Sequence, residues 1–166
     1  MNILTDGRFN KAIEQAVSSY LGKPFSITGI RENKAGAMHP AAIFEGEKFR
    51  VFVKAGTHPF SPEQFEREAQ ELDYIRTHSE VKTPEVIATV REAGAVLLIL
   101  EAIDIVNPET KQDYERLGRG LASLHRTEND RCGFEYPTYL GIFRQDNTWK
   151  DTWPEFYGEC RLRDSM

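Results

Sequence analysis

The stretch AAIFEGEKFRVFVK, residues 41–54, decides the fold. It holds two apolar runs around Glu45-Gly46-Glu47-Lys48, whose glycine and charged residues are turn chemistry. Phe49, Val51 and Val53 alternate onto one face of the second run, the period of a half-buried strand. This predicts an antiparallel hairpin of strands 41–44 and 49–54, ending on Lys54 on the face opposite Val51 and Val53.

Working outward, residues 25–31 read as a strand before the hairpin, through Phe25, Ile27 and Ile30. Before that, Phe9, Ile13, Ala16 and Tyr20 recur at helical spacing over 7–20, and Gly22 and Pro24 break the run. After the hairpin, Ser61-Pro62 followed by Glu63 and Gln64 starts a helix over 61–77: a cap residue, proline in the first turn, an acid at the positive dipole end. Strands follow at 85–90 and 95–101, joined by a turn at Ala93-Gly94. The run Val96 to Leu100 is continuously apolar, which predicts burial on both faces. Residues 111–126 form an amphipathic helix with Tyr114, Leu117, Leu121 and Leu124 in one stripe. Residues 127–150 read as irregular. Thr152-Trp153-Pro154-Glu155 opens a last helix, with Trp153, Phe156, Tyr157 and Cys160 on a shared face. The expected class is α+β: a five-stranded antiparallel sheet with one packed helix over 1–103, then a connection and the start of a helical lobe over 104–166.

Composition narrows the function classes. With 21 basic and 26 acidic residues the formal charge is -5, so the chain is no general binder of nucleic acid; any phosphate must be gripped locally. Cys132 and Cys160 have neither CxxC spacing nor a nearby histidine pair, which argues against zinc and for two reduced thiols. No stretch approaches the roughly 20 apolar residues of a membrane span, and the first residues do not read as a secretion signal. The cytoplasm is the expected compartment.

One ionic pair carries the chemistry. On a wheel of the 61–77 helix, Phe65, Ala69, Leu72 and Ile75 form the buried stripe, and Glu68 falls within it. Glu63, Glu66 and Glu71 fall outside. An inward carboxylate needs a cation, because burying it unpaired costs several kcal/mol. Lys54, on the strand just before, is the nearest plausible partner. A lysine on the third strand held by a glutamate on the next helix is the arrangement with which kinases grip ATP phosphates. The stretch 33–40, with Gly36, Ala37 and His39, is placed to cover those phosphates with backbone amides. Glu101, Ala102 and Ile103 end the buried strand where adenine would meet backbone groups. His125, closing a helix, reads as a capping or packing residue.

These segments resemble the fructosamine kinases. VFVK (51–54), FEREAQELDYI (65–75), TPEVI (83–87) and LLILEAI (97–103) follow the small-lobe pattern, and LGRGLASLHR (117–126) follows the next helix. The most specific match is CGFEYPTYLGIFRQDNTWKDTWPEFYGECRL (132–162), with its Gly-Phe, Gln-x-Asn-x-Trp and Asp-x-Trp-x-x-Phe-Tyr. Choline and aminoglycoside kinases share the small-lobe features but lack that run. The resemblance implies a protein-kinase-like fold, ATP and Mg2+ as cofactors, and phosphorylation of ketosamines on glycated amines or proteins, leading to deglycation. It places Lys54 and Glu68 as the phosphate-positioning pair, Glu101 to Ile103 as the adenine hinge, and Gly36, Ala37 and His39 over the phosphates. The chain departs from the family in its glycine-poor turn, which also lacks the cysteine through which some relatives dimerise. The family's His-Gly-Asp catalytic loop and later metal-binding aspartate are not among these residues, so no catalytic residue is assigned, and the chain alone is expected to be inactive. A non-catalytic nucleotide- or sugar-amine-binding remnant, and another small-molecule kinase, stay open as alternatives. An exposed apolar surface and self-association are expected of the chain on its own.

Overall fold

The computed structural model describes residues 3–33 and 38–163. Strands β1 (Gly29–Asn33), β2 (Ala41–Glu45), β3 (Arg50–Gly56), β4 (Val86–Glu92) and β5 (Ala95–Glu101) form one antiparallel sheet, ordered β1-β2-β3-β5-β4. Helices α1 (Asn10–Leu21) and α2 (Ser61–His78) lie before and between these strands in the chain, and α3 (Lys111–Leu124) follows them. Next come β6 (Thr138–Leu140), β7 (Phe143–Gln145), α4 (Trp153–Tyr157) and a π-helical turn, Gly158–Arg163. The chain forms two compact units: residues up to 73 with 83–106, and residues 74–82 with 107 onward.

In the first unit, strand alternation divides the core in two. Ala42, Phe44, Val51, Val53, Ala55, Leu97 and Ile99 turn to one face and pack with Phe9, Ile13 and Val17 of α1. Leu98 and Leu100 turn to the other, with Phe52, and meet Phe65, Ala69 and Leu72 of α2. Each side chain fully buried in this way contributes about 1.5–3 kcal/mol. β5 pairs with both β3 and β4, so residues 95–100 are all buried, as the unbroken apolar run requires.

Three local expectations change. The strand read over 25–31 begins only at Gly29, because α1 takes the earlier backbone donors. The Phe25 amide donates to Ser18 Oγ at 2.9 Å and the Ile27 amide to Glu14 Oε1 at 2.9 Å. Ser61 does not cap α2 with its hydroxyl. It is fully buried, its Oγ has no hydrogen-bond partner, and it fills the space where a Cβ on Gly56 would stand. The Ala93-Gly94 turn forms as expected, with φ of 48° and 77°. Both lie in the left-handed region that suits a two-residue hairpin.

In the second unit, Thr110 and Asp113 cap α3 reciprocally. The Asp113 amide donates to the Thr110 hydroxyl, and the Thr110 amide and hydroxyl donate to the Asp113 carboxylate. These bonds, that of the hydroxyl foremost, hold the Asp113 carboxyl down to about 2. His125 closes the helix, its amide donating to the Leu121 carbonyl at 3.0 Å. The stretch 127–150, read as irregular, contains the β6–β7 hairpin, whose three-residue strands are too short to show a period. The last helix is split: Phe156 and Cys160 are buried, while Trp153 and Tyr157 stay largely exposed. Trp153 still stacks with Tyr157 and lies against Phe156, with centroids 5.8 and 5.7 Å apart, so the three rings share a side of which only Phe156 is covered; the α-helical turn passes into the π-helical turn at Gly158. Both cysteines are unbonded.

The Gln-x-Asn-x-Trp segment is a knot of hydrogen bonds. Asn147 is buried; its Nδ2 donates to the Tyr136 carbonyl and the Thr138 hydroxyl, each at 3.0 Å, and its Oδ1 accepts from Arg161 at 2.6 Å. The Phe134 amide donates to the Asn147 carbonyl at 2.8 Å. Gly133, at φ 148°, lets this happen: a Cβ there would stand 2.8 Å from the Asn147 carbonyl oxygen and from Trp149 Cα. No described helix is long and apolar enough to cross a membrane.

Candidate nucleotide site

Lys54 and Glu68 meet. The Lys54 ammonium donates to Glu68 Oε2, joining β3 to α2. The strand period puts Lys54 on the face of Phe52, and the helix period puts Glu68 one turn after Phe65 on the flank turned to the same sheet face. Phe65 is fully buried and its ring lies under the ammonium, 5.4 Å from centroid to Nζ. The pair is not sealed: the side chains are 22% and 29% exposed, so a ligand phosphate can reach the lysine.

The Phe52 face continues into a cleft of about 450 Å³, within the range of small-molecule sites. Ile43, Phe52 and Leu100 line it, with Glu101, Ala102 and Ile103 along one side and Arg31, Glu32 and Asn33 of β1. Phe52 lies opposite both Ile43 and Leu100 in the sheet register, and Leu98 lies opposite Lys54. Cleft and lysine are therefore neighbours on one sheet face. The Ala102 amide donates to the Arg50 carbonyl at 3.3 Å, and Arg50 pairs with Asp104 at 2.9 Å, fixing the segment that leaves β5. The Arg50 guanidinium, chiefly through that hydrogen bond, holds the Asp104 carboxyl below its usual range. The Ile103 amide has no hydrogen-bond partner among the described residues and can donate to a ring nitrogen. Phe52 and Arg50 were not singled out from the sequence. The signal was there in the strand alternation that exposes Lys54, since Phe52 must share its face.

Other expectations fare differently. Gly36 and Ala37 lie outside the described residues. His39 is described, and its ring is engaged with α2, Nε2 standing 2.9 Å from Gln64 Oε1. Glu71 was placed outside the buried stripe, yet its Oε1 is closed off from solvent and has no hydrogen-bond partner. It follows Glu68 by three residues on one helix ridge, so a helix that turns Glu68 inward carries Glu71 with it. Burial pushes the Glu71 carboxyl up, and the charge of Glu68 adds to the shift. Among the described residues no group of three or more His, Cys, Asp or Glu is placed to hold a metal ion.

The chain is similar to several known proteins. A ketoamine kinase by name from Pasteurella multocida is 28% identical over 153 residues, covering 92% of this chain and 53% of its own length. A chloroplastic protein-ribulosamine 3-kinase of Arabidopsis thaliana is 32% identical over 144 residues, 85% of this chain and 43% of that protein. A solved structure from Thermobifida fusca, named as a fructosamine-3-kinase, superposes with a TM-score of 0.71 at 27% identity, over 90% of this chain and 51% of that one. A second, from Haemophilus somnus, shares the fold at a TM-score of 0.81 and 24% identity, over 90% and 50%. The chain thus spans about half the length of the relatives it matches. The sequence pattern of the fructosamine kinase family matches residues 9–166, and with a kinase-like sheet carrying a joined Lys54 and Glu68, the chain belongs to that family.

Proposed function

We propose that these residues form the nucleotide-binding part of a ketosamine kinase, which transfers the terminal phosphate of ATP to a sugar hydroxyl of a glycated amine or protein. The Lys54–Glu68 contact beside an apolar cleft is the observation that carries this reading. The cleft takes the adenine between Ile43, Phe52 and Leu100, and the Ile103 amide reads its edge. Lys54, oriented by Glu68, neutralises phosphate oxygens, and charge stabilisation of that kind is most of what phosphoryl transfer asks of a protein. Mg2+, if bound, would supply positive charge to offset that of the phosphates; among the described residues no group of three or more His, Cys, Asp or Glu is placed to hold it. By itself the chain binds nucleotide without turning it over.

Titration calorimetry with ATP tests this. Lys54→Met is expected to weaken binding by roughly tenfold or more, the loss of one charge-assisted contact. It also lowers stability. The pair is partly exposed, so the cost falls between the values for surface and buried pairs, at roughly 1–3 kcal/mol. Equal ATP affinity in the two proteins overturns the assignment.

A further inference from the structure

His39 bridges the two elements that the site depends on. Its carbon neighbours in the chain run beside Lys54: the Pro40 carbonyl accepts from the Ala55 amide at 2.9 Å, and Ala41 lies opposite Lys54 in the β2–β3 register. Its ring points the other way, into α2. Nε2 lies 2.9 Å from Gln64 Oε1, an acceptor to which the Nε2–H tautomer donates. The ring meets Phe65 edge-on, centroids 4.8 Å apart. Gln64 precedes Glu68 by four residues, one helical turn on the same side of α2. Phe65 is thus flanked by His39 and by the Lys54 ammonium.

α2 needs such a tether. Ser61 and Phe65 are the fully buried residues of α2, and Ala69 and Leu72 pack against the sheet while only partly buried, so contacts along the Gln64–Glu68 flank add to what fixes its rotation. A partly exposed lysine–glutamate pair is too weak to fix it alone. We propose that His39 is a positioning residue which, through Gln64 and Phe65, locks α2 against β3 so that Glu68 stays on Lys54. Its consequence for phosphate binding rests on the nucleotide reading above. The lock itself does not.

The lock can be read without nucleotide, from the rate at which an amine-reactive N-hydroxysuccinimide ester acylates Lys54, followed by peptide mass spectrometry. His39→Ala and Gln64→Ala are each expected to raise that rate roughly threefold to tenfold, as loss of one hydrogen bond predicts. The double variant should rise by less than the two single effects combined, because the His39–Gln64 contact is lost in each. His39→Gln keeps a donor nitrogen near the position of Nε2 but not the ring against Phe65, and should restore part of the difference. Lys11, Lys48 and Lys111 serve as internal controls and should not change. An unchanged Lys54 rate in both alanine variants, a rate that rises equally at all four lysines, or no rescue by His39→Gln overturns the proposal. Protection of Lys54 by ATP in the unaltered chain is a separate arm. Its absence, with the variant pattern intact, removes the nucleotide reading and leaves the lock standing.

Discussion

β5 and α3 each carry apolar side chains in a clear pattern, and they fare in opposite ways. Every residue of β5 from Ala95 to Leu100 is buried. α3 has a clear stripe of Tyr114, Leu117 and Leu121, a reciprocal cap and a proper end, yet it buries nothing; those three side chains are 59%, 55% and 49% exposed. The difference lies in what surrounds each element. β5 has a strand on each side and a helix-bearing core on each face, so its environment is complete within the first unit. α3 owes its helix to local terms: the cap, and the Glu115 carboxylate shared between Lys111 and Arg119. A stripe in sequence states which face is ready for burial; the neighbours decide whether burial happens.

Three substitutions press on that contrast. Leu98→Ala in β5 removes packing against Phe65 and should cost about 2–5 kcal/mol, measured as a shift in the denaturation midpoint. A loss under 1 kcal/mol would mean that the sheet core is loose and the contrast false. Glu71→Gln tests the flank of α2 that Glu68 shares. Burial raises the folded carboxyl above its ordinary value near 4.5, so the folded state holds its proton more tightly than the unfolded chain does. The ionised group therefore destabilises the fold above the raised value, and that penalty fades as pH falls through it toward 4.5. The glutamine variant should be more stable than the native chain at pH 7 and should lose that advantage near pH 4; melting curves at the two pH values decide. Leu121→Ala on α3 should change stability by no more than about 0.5 kcal/mol, since little is there to lose. A loss like that of Leu98 would show that α3 is covered in solution.

The sheet and the ionic pair were legible because both follow from short periods. Alternation over 49–54 gave the face of Lys54, and the helical wheel put Glu68 beside Phe65. Where reading failed, the deciding partner was distant or the unit too short. Residues 25–27 look like strand, but the Phe25 and Ile27 amides are claimed by Ser18 and Glu14 of α1, and no local pattern announces a competing acceptor. The β6–β7 hairpin is too brief for a period. Glu71 was misplaced because a wheel divides a helix into inside and outside, whereas a real helix has a flank. The turn of His39 into α2 depends on Gln64, twenty-five residues on, and a sequence without coordinates gives no reason to pair them.

Gly133 bears on how the family signature works. Two phrases of the signature, Gly-Phe and Gln-x-Asn-x-Trp, stand apart in sequence, yet at Gly133 their main chains touch with no room for a methyl group between them. They form a single joint, so a change in either phrase is felt by both, and neither can drift on its own. That gives a mechanical reason for the pattern to be so distinctive.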